Sequence, residues 1–347
     1  MNKKITFFCN HLGGGGAERV LVALANFYSS KQYEVNILVL NKNVCYPLSP
    51  SVNVEELNSA FNFFSRIYRV RKLVRAQKPD VVIAWEYYPN LITAAACLGL
   101  NMKLVLAERA NPRTTGAGLI KTPLRNFLYR FCNTLVCQTP DIKAFFPQYI
   151  QKKAIIIPNP ISAKLPMPYK AERNKNIVNF CRLAKVKNLP LLINAFEIFY
   201  KTHTEYTLHI FGDGNIKKEL EQMINHKNLQ HVIFIHPAQK DIHEQILQSA
   251  MFVSSSDTEG LSNSMLEAMA LGLPSICTDC DGGGARMIMR NEENGLLVPK
   301  GNAQALSNAM ARVADDSALA SRLAANGIKL REELNIAHIA QLWEKYF

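Results

Sequence analysis

Short apolar runs alternate with amphipathic stretches along nearly the whole chain. The runs at 4–9, 34–40, 81–84, 103–107, 134–137 and 154–157 predict strands. Residues 18–30 and 64–77, between them, carry helical spacing. This β-α alternation predicts a parallel sheet with helices on both faces. After residue 174 the rhythm restarts, with strand-like runs at 177–181, 207–211, 232–235, 251–254, 274–277 and 295–298. Helical patterns at 189–202, 216–226, 241–247 and 262–271 separate them. The segment between the two sets, 158–174, holds four prolines and few large apolar residues, and it predicts an interdomain linker. The expected architecture is α/β, with two doubly wound domains at 1–160 and 174–330 and a final helix within 331–347 packing back on the first. Ligands in such sheets bind beyond the carboxyl ends of the strands.

Length and composition agree with this division. A chain of 347 residues, 48% hydrophobic, is long for one domain. The longest apolar stretch, 91–100, has about half of the roughly 20 residues that a membrane-spanning helix needs. The amino-terminal residues run straight into a glycine loop and predict a first strand rather than a signal peptide. Most of the eight cysteines sit inside apolar runs, as buried free thiols do, which points to a reducing, cytoplasmic setting.

Charge adds an asymmetry. The net charge is +12, yet residues 1–165 hold 21 Lys and Arg against 8 Asp and Glu, and residues 166–347 hold 19 against 20. The basicity belongs to the first half, where it would suit anionic lipid, a diphosphate-linked substrate or nucleic acid.

Three motifs carry candidate chemistry. The first runs from His11 through Gly13, Gly14, Gly15 and Gly16 to Glu18 and Arg19, between a strand and a helix. Glycines there let a backbone approach a ligand, and the helix start offers N–H groups to an anion. It lacks the third glycine of the dinucleotide fingerprint and the Gly-Lys-Ser/Thr of a P-loop, so a tight turn remains the alternative. The second, Arg182, Lys185, Lys187 and Asn188, follows the first strand of the second half, where cations are placed to hold a diphosphate or form a solvated turn. The third runs from Asp257 through Glu259, Gly260, Leu261, Ser262, Asn263 and Glu267 to Pro274. It puts Glu259 in a loop and Glu267 on the helix behind it, with the N–H groups near Leu261, Ser262 and Asn263 facing an anion. The alternatives are a capping acid for Glu259 and a solvated face for Glu267. Two weaker signals are the turn around Gly212 and the Asp279/Asp281 pair. The pair has the spacing of a metal site, but glycines follow at once and predict a turn without metal.

Together these segments resemble family 4 glycosyltransferases of the GT-B fold. The likeness rests on GGGGAERV, AERANPR at 107–113, CQTPD at 137–141, IPNPI at 157–161, RLAKVKN at 182–188, FGDG at 211–214, EGLSNSMLEAMALGLP and NGLLVP at 294–299. It points to the subgroup that builds bacterial O-antigen, capsule and exopolysaccharide repeat units. The resemblance implies two Rossmann-like domains facing across a cleft, and a retaining, metal-independent transfer of a hexose from a nucleotide-sugar. It assigns Glu259 to the donor sugar hydroxyls, Glu267 to the ribose, and Arg182 and Lys187 to the diphosphate. The amides of Gly260, Leu261, Ser262 and Asn263, together with Gly212, Gly14 and Gly15, also join the donor. His11, Glu108 and Arg109 fall in the acceptor cleft. Family members usually have Gly where Cys181 stands, and many have a His in the first-domain loop that matches Glu108, Arg109, Ala110 and Asn111 here, so no catalytic base is assigned. The implied donor is a UDP-hexose of the galactose or N-acetylgalactosamine type, with no cofactor.

The implied acceptor is a lipid-linked oligosaccharide on polyprenyl diphosphate, with the enzyme on the inner face of the plasma membrane. Residues 61–77 mix aromatic and basic positions at helical spacing, as interfacial helices do, and 119–131 do so more weakly. Both are expected to touch an anionic membrane surface. A nucleotide-sugar epimerase of the same fold would leave the basic half unexplained. A nucleic-acid-binding protein would leave the two glutamates unexplained, and no recognition motif for nucleic acid is present.

Overall fold

A computed structural model describes residues 3–57 and 62–347. The chain divides into two compact units, one comprising Met1–Pro160 with Ile336–Phe347 and the other Ile161–Asn335.

The first unit opens with β1 (Lys4–Cys9), α1 (Gly16–Ser30), β2 (Glu34–Val39) and β3 (Asn53–Glu56). It continues with α2 (Phe63–Gln77), β4 (Val81–Trp85), α3 (Tyr87–Ala96), β5 (Lys103–Glu108) and α4 (Lys121–Tyr129). It closes this segment with β6 (Thr134–Cys137), α5 (Pro140–Ala144), α6 (Gln148–Gln151) and β7 (Ala154–Ile156). The strands form one parallel sheet in the order β3-β2-β1-β4-β5-β6-β7. Lys4 lies opposite Glu34 on one side of β1, and Ile5 lies opposite Val81 on the other. From Ile5 to Cys9 and throughout β4 every residue is buried, because helices cover both faces.

Among the elements that were not predicted, α3 and β3 were missed for opposite reasons. α3 is buried almost all round and has no polar face, so it shows no amphipathic period. β3 is an edge strand with Glu55 and Glu56 in it, so it shows no apolar run.

The second unit holds β8 (Asn176–Phe180), α7 (Leu189–Tyr200), β9 (Thr207–Phe211), α8 (Lys217–His226), β10 (Ile233–His236) and α9 (Ile242–Ile246). Then come β11 (Met251–Ser254), α10 (Asn263–Ala270), β12 (Ser275–Asp279), α11 (Gly284–Ile288) and β13 (Leu296–Pro299). Its last helices are α12 (Ala303–Asp315), α13 (Ser317–Ile328) and α14 (Leu330–Glu333). The strands again make one parallel sheet, β10-β9-β8-β11-β12-β13.

The proline-rich segment expected as a linker is tied into this unit from Ile161 onward. Ile161 N–H donates to Leu334 O at 2.8 Å, and Arg331 donates to the carbonyls of Leu165 and Pro166 at 2.9 and 2.8 Å.

The chain then returns to the first unit as α15 (Ile336–Glu344). Trp343 stacks on Trp85 with ring centroids 5.5 Å apart, and Tyr28 Oη donates to Ala340 O at 3.0 Å. Both tryptophans are essentially inaccessible, so this helix is part of the first unit's core.

No helix among the described residues is long and apolar enough to cross a membrane. On α2 the exposed aromatic residues are Phe64 and Tyr68; Phe61 lies outside the described residues. Around α4 the exposed apolar set is larger: Leu119 (97%), Ile120 (81%), Leu124, Phe127 and Phe131. Arg130 stands over the rings of Phe127 and Phe131.

Candidate functional site

In each sheet the strand order reverses once, and sheets of this kind take ligands in the crevice outside the carboxyl ends of the two strands that flank the reversal. In the second unit the reversal lies between β8 and β11. The loop after β8 carries Arg182 and a single 3-10 turn at Lys185–Lys187, and the loop after β11 carries Asp257 and Glu259.

Short polar contacts knit these two loops together. Ser255 Oγ lies 3.0 and 2.9 Å from the carbonyls of Lys187 and Asn188, and Asn188 Nδ2 donates to Asp257 Oδ1 at 2.8 Å. Asp257 N–H donates to Val186 O at 2.9 Å. The result is that Lys187 Nζ reaches both carboxylate oxygens of Glu259, each at 2.7 Å. Burial alone would lower the Lys187 ammonium, but the Glu259 carboxylate outweighs it and holds the group above its ordinary value. Arg182 is exposed, and its charge reaches Lys187.

Glu259 pairs with lysine rather than capping a helix; Ser262 is the cap of α10, its Oγ accepting from Met265 N–H at 3.4 Å. The backbone at Glu259 and Gly260 is pressed against the loop after β12. Glu259 N–H donates to Asp281 O at 2.9 Å. A Cβ on Gly282 would strike Glu259 O, and one on Gly284 would strike Gly260 O. The glycine run that read as a plain turn is therefore what lets this loop close on Glu259. Leu261 is buried, and Gly260, Ser262 and Asn263 are half-buried at the start of α10. Gly212 ends β9 against the carbonyl of Cys181.

Glu267 is 2% exposed, which removes the solvated-face alternative. Its Oε2 lies 2.9 Å from His243 Nε2, and the imidazole stands edge-on to Phe180, 6.2 Å between centroids. His243 carried no sequence signal: it sits on the five-residue α9, with no motif around it. Asp279 and Asp281 are ion-paired with Arg286 and Lys300 at 2.7 and 2.8 Å. Among the described residues no group of three or more His, Cys, Asp or Glu side chains is placed to hold a metal ion.

In the first unit the reversal lies between β1 and β4. Asn10 and His11 follow β1, and Glu86 follows β4. Asn10 Nδ2 donates to Glu86 Oε2 across the crevice at 3.0 Å. Glu86 takes a φ of 78°, outside the range side-chain-bearing residues favour. Burial, and then Glu18, push its carboxyl above the usual carboxylate range, against the pull of Asn10, His11 and Arg109.

Glu18, 7% exposed, lies 3.6 Å from His11 Nδ1, which accepts from Gly13 N–H at 3.1 Å. The Glu18 carboxylate covers Gly15, so a Cβ there would strike it, whereas Gly14 faces open space. Gly14 and Gly15 were both expected against a ligand; Gly15 meets the chain's own carboxylate instead. Glu86 and Glu18 were not assigned a role from the sequence, although Glu86 ends a strand whose carboxyl end is where ligands bind.

Glu108 and Arg109, expected in the cleft, point into the unit. Glu108 is completely buried, with Oε2 accepting from Tyr129 Oη at 3.0 Å, and burial raises its carboxyl to about 7. Arg109 is 7% exposed, bonded to Asn159, with its guanidinium 4.4 Å from the Trp85 ring centroid. Burial lowers it to about 9. A cavity of about 570 Å³ lined by Arg75, Lys78, Asp80 and Lys103 opens at the other end of this sheet, where the strands begin.

Known proteins resemble the chain in sequence and in fold. Residues 166–330 match the family Glycosyl transferases group 1, and residues 14–165 match Glycosyltransferase Family 4. An uncharacterized glycosyltransferase of Haemophilus influenzae is 25% identical over 99% of both chains. A Campylobacter jejuni relative, 26% identical over 99% of this chain and 97% of its own length, is an alpha-1,4-N-acetyl-D-galactosaminyltransferase acting on a GalNAc-containing diNAcBac-PP-undecaprenol. A lipopolysaccharide core biosynthesis glycosyltransferase of Rhizobium meliloti, LpsD, is 25% identical over 90% of this chain and 89% of its own. Among solved structures, Anabaena HepE in complex with UDP and glucose superposes with a TM-score of 0.84 at 19% identity over 99% of both chains.

Proposed function

Since the chain belongs to the family 4 glycosyltransferases of the GT-B fold, we propose that it moves a hexose, with retention, from a UDP-sugar of the galactose or N-acetylgalactosamine type to a polyprenyl-diphosphate-linked glycan. The product feeds surface-polysaccharide synthesis at the inner face of the membrane. The observation that carries this reading is the Lys187–Glu259 pair across the second unit's crevice, beside Arg182 and the start of α10. In this reading Arg182, Lys187 and the first amides of α10 hold the diphosphate and stabilise the charge left on it when the sugar departs. Glu259 takes hydroxyls of the donor sugar, and Glu267, held by His243, takes the ribose. With the two lysine- and arginine-paired aspartates elsewhere engaged, the cationic side chains do the work a metal does in other sugar-nucleotide sites. The Campylobacter relative's lipid-linked acceptor and the UDP held by HepE support the choice of substrates. The exposed apolar and basic surface around α4 supports peripheral contact with anionic lipid.

The test is transfer from a panel of sugar nucleotides to a short polyprenyl-diphosphate-linked glycan, with and without chelator, and with the product's anomeric configuration read by NMR. Transfer from a UDP-hexose that survives chelation and keeps the α configuration supports the proposal. Inversion, or activity only with added divalent metal, overturns that part of it.

A further inference from the structure

The first unit's crevice has a chemistry that a phosphate-binding loop does not. Its glycine loop is occupied from within, Glu18 lying over Gly15 and the His11 ring beside Gly13. Glu86 enters from the other side of the strand reversal, tied to Asn10 at 3.0 Å. A phosphate brought here would meet two carboxylates, and the electrostatic cost falls on both. An uncharged group bearing several hydroxyls would meet acceptors at Glu86 and Glu18 and a side-chain amide at Asn10, which is how buried carboxylates are matched without a counter-charge.

Two further observations point the same way. Arg109 is more than nine-tenths buried, and its field reaches Glu86. Glu86 itself holds a strained backbone conformation at the carboxyl end of a central strand, where sheets of this kind place ligand-binding groups.

We propose that Glu86, positioned by Asn10, accepts a hydrogen bond from a hydroxyl of the acceptor sugar, so that this crevice reads the acceptor's carbohydrate while its diphosphate lies elsewhere. This rests on the transfer reaction proposed above. Glu86 is then a substrate-binding residue, and Asn10 is a positioning residue that acts through it.

The experiment compares full-length Glu86→Gln and Asn10→Ala with the parent in steady-state transfer, UDP binding by calorimetry and thermal melting. Expected is a rise in acceptor KM of about tenfold or more for Glu86→Gln, the loss of one charge-assisted hydrogen bond, with UDP affinity unchanged. Asn10→Ala should show the same KM effect in weaker form. Unchanged acceptor KM and kcat in a folded Glu86→Gln protein overturns the inference, as does a parallel loss of UDP affinity. If Glu86→Gln does not fold, Glu86→Asp and Asn10→Ala are decided by the same KM comparison. A parent protein that transfers no sugar from any nucleotide would sink the proposed reaction instead, a result distinct from either.

Discussion

At the strand reversal of the second unit a lysine crosses to a glutamate, Lys187 to Glu259, whereas in the first unit an asparagine crosses to a glutamate, Asn10 to Glu86. The topological position is the same and the chemistry differs. The second unit's sequence is nearly neutral overall, yet its crevice holds a lysine and an arginine beside a helix start. The first half carries the whole of the protein's net positive charge, yet its crevice holds two glutamates. Net charge of a region therefore describes the field at its surface, here around α4 and α2, and not the chemistry of its binding crevice. On the two proposals above, an anion suits one crevice and a hydroxyl-rich neutral group suits the other.

The most severe way to break this comparison is to remove the charge that defines the second crevice. Lys187→Ala should lower transfer by about 10²–10³-fold, the range found when a donor to developing negative charge is lost. The melting temperature should change little, because the pair is partly open to solvent. Activity within threefold of the parent would mean the ion pair is structural.

The buried carboxyl of the first unit offers the next largest effect. Glu108 holds its proton more tightly in the folded state, near pH 7, than the ordinary value of 4.5. Stability should therefore fall as pH rises from about 4.5 to about 7 and flatten above, by up to about 3 kcal/mol at 1.36 kcal/mol per pKa unit. Denaturant titrations of the parent and Glu108→Gln across that window measure it. The difference between the two proteins should grow in favour of the variant toward pH 7, and parallel curves would remove Glu108 as the cause.

The second crevice is sharpened by the pair behind it. His243→Ala should weaken UDP binding by about tenfold by freeing the Glu267 carboxylate to reorient, and Glu267→Gln by at least as much. Unaltered affinity in both would take Glu267 out of the donor site.

The smallest effect concerns the surface field. Leu119→Asp with Ile120→Asp should reduce sedimentation with anionic vesicles severalfold and leave transfer to a short soluble acceptor intact, whereas Phe64→Asp on α2 should do less. Equal losses from both would spread the contact over both helices.

Much of this architecture was legible because central strands of a parallel sheet are apolar throughout, as in β1 and β4, and the glycine and glutamate motifs follow strands directly. Glu259 and Lys187 lie 72 residues apart, but each stands just after a strand flanking the reversal, so sequence position led to both. His243 was not legible, since its meeting with Glu267 depends on how α9 folds back beside Phe180. Glu18 was visible in its motif, but its fold-back over Gly15 depends on a side-chain conformation that spacing does not encode. Glu108 and Arg109 were placed at the correct strand end, but adjacent residues on that strand turn inward on Tyr129 and Trp85, and only packing decides that.

The return of α15 to the first unit bears on how the protein is made. Trp85 is synthesised well before its stacking partner Trp343. During translation the first unit must wait, with an apolar face uncovered beside Tyr28, while 175 residues of the second unit are added. A ribosome-bound fragment ending at residue 160 should accordingly hold its chaperones longer than its size suggests, and supplying residues 336–347 as a separate peptide should shorten that stay.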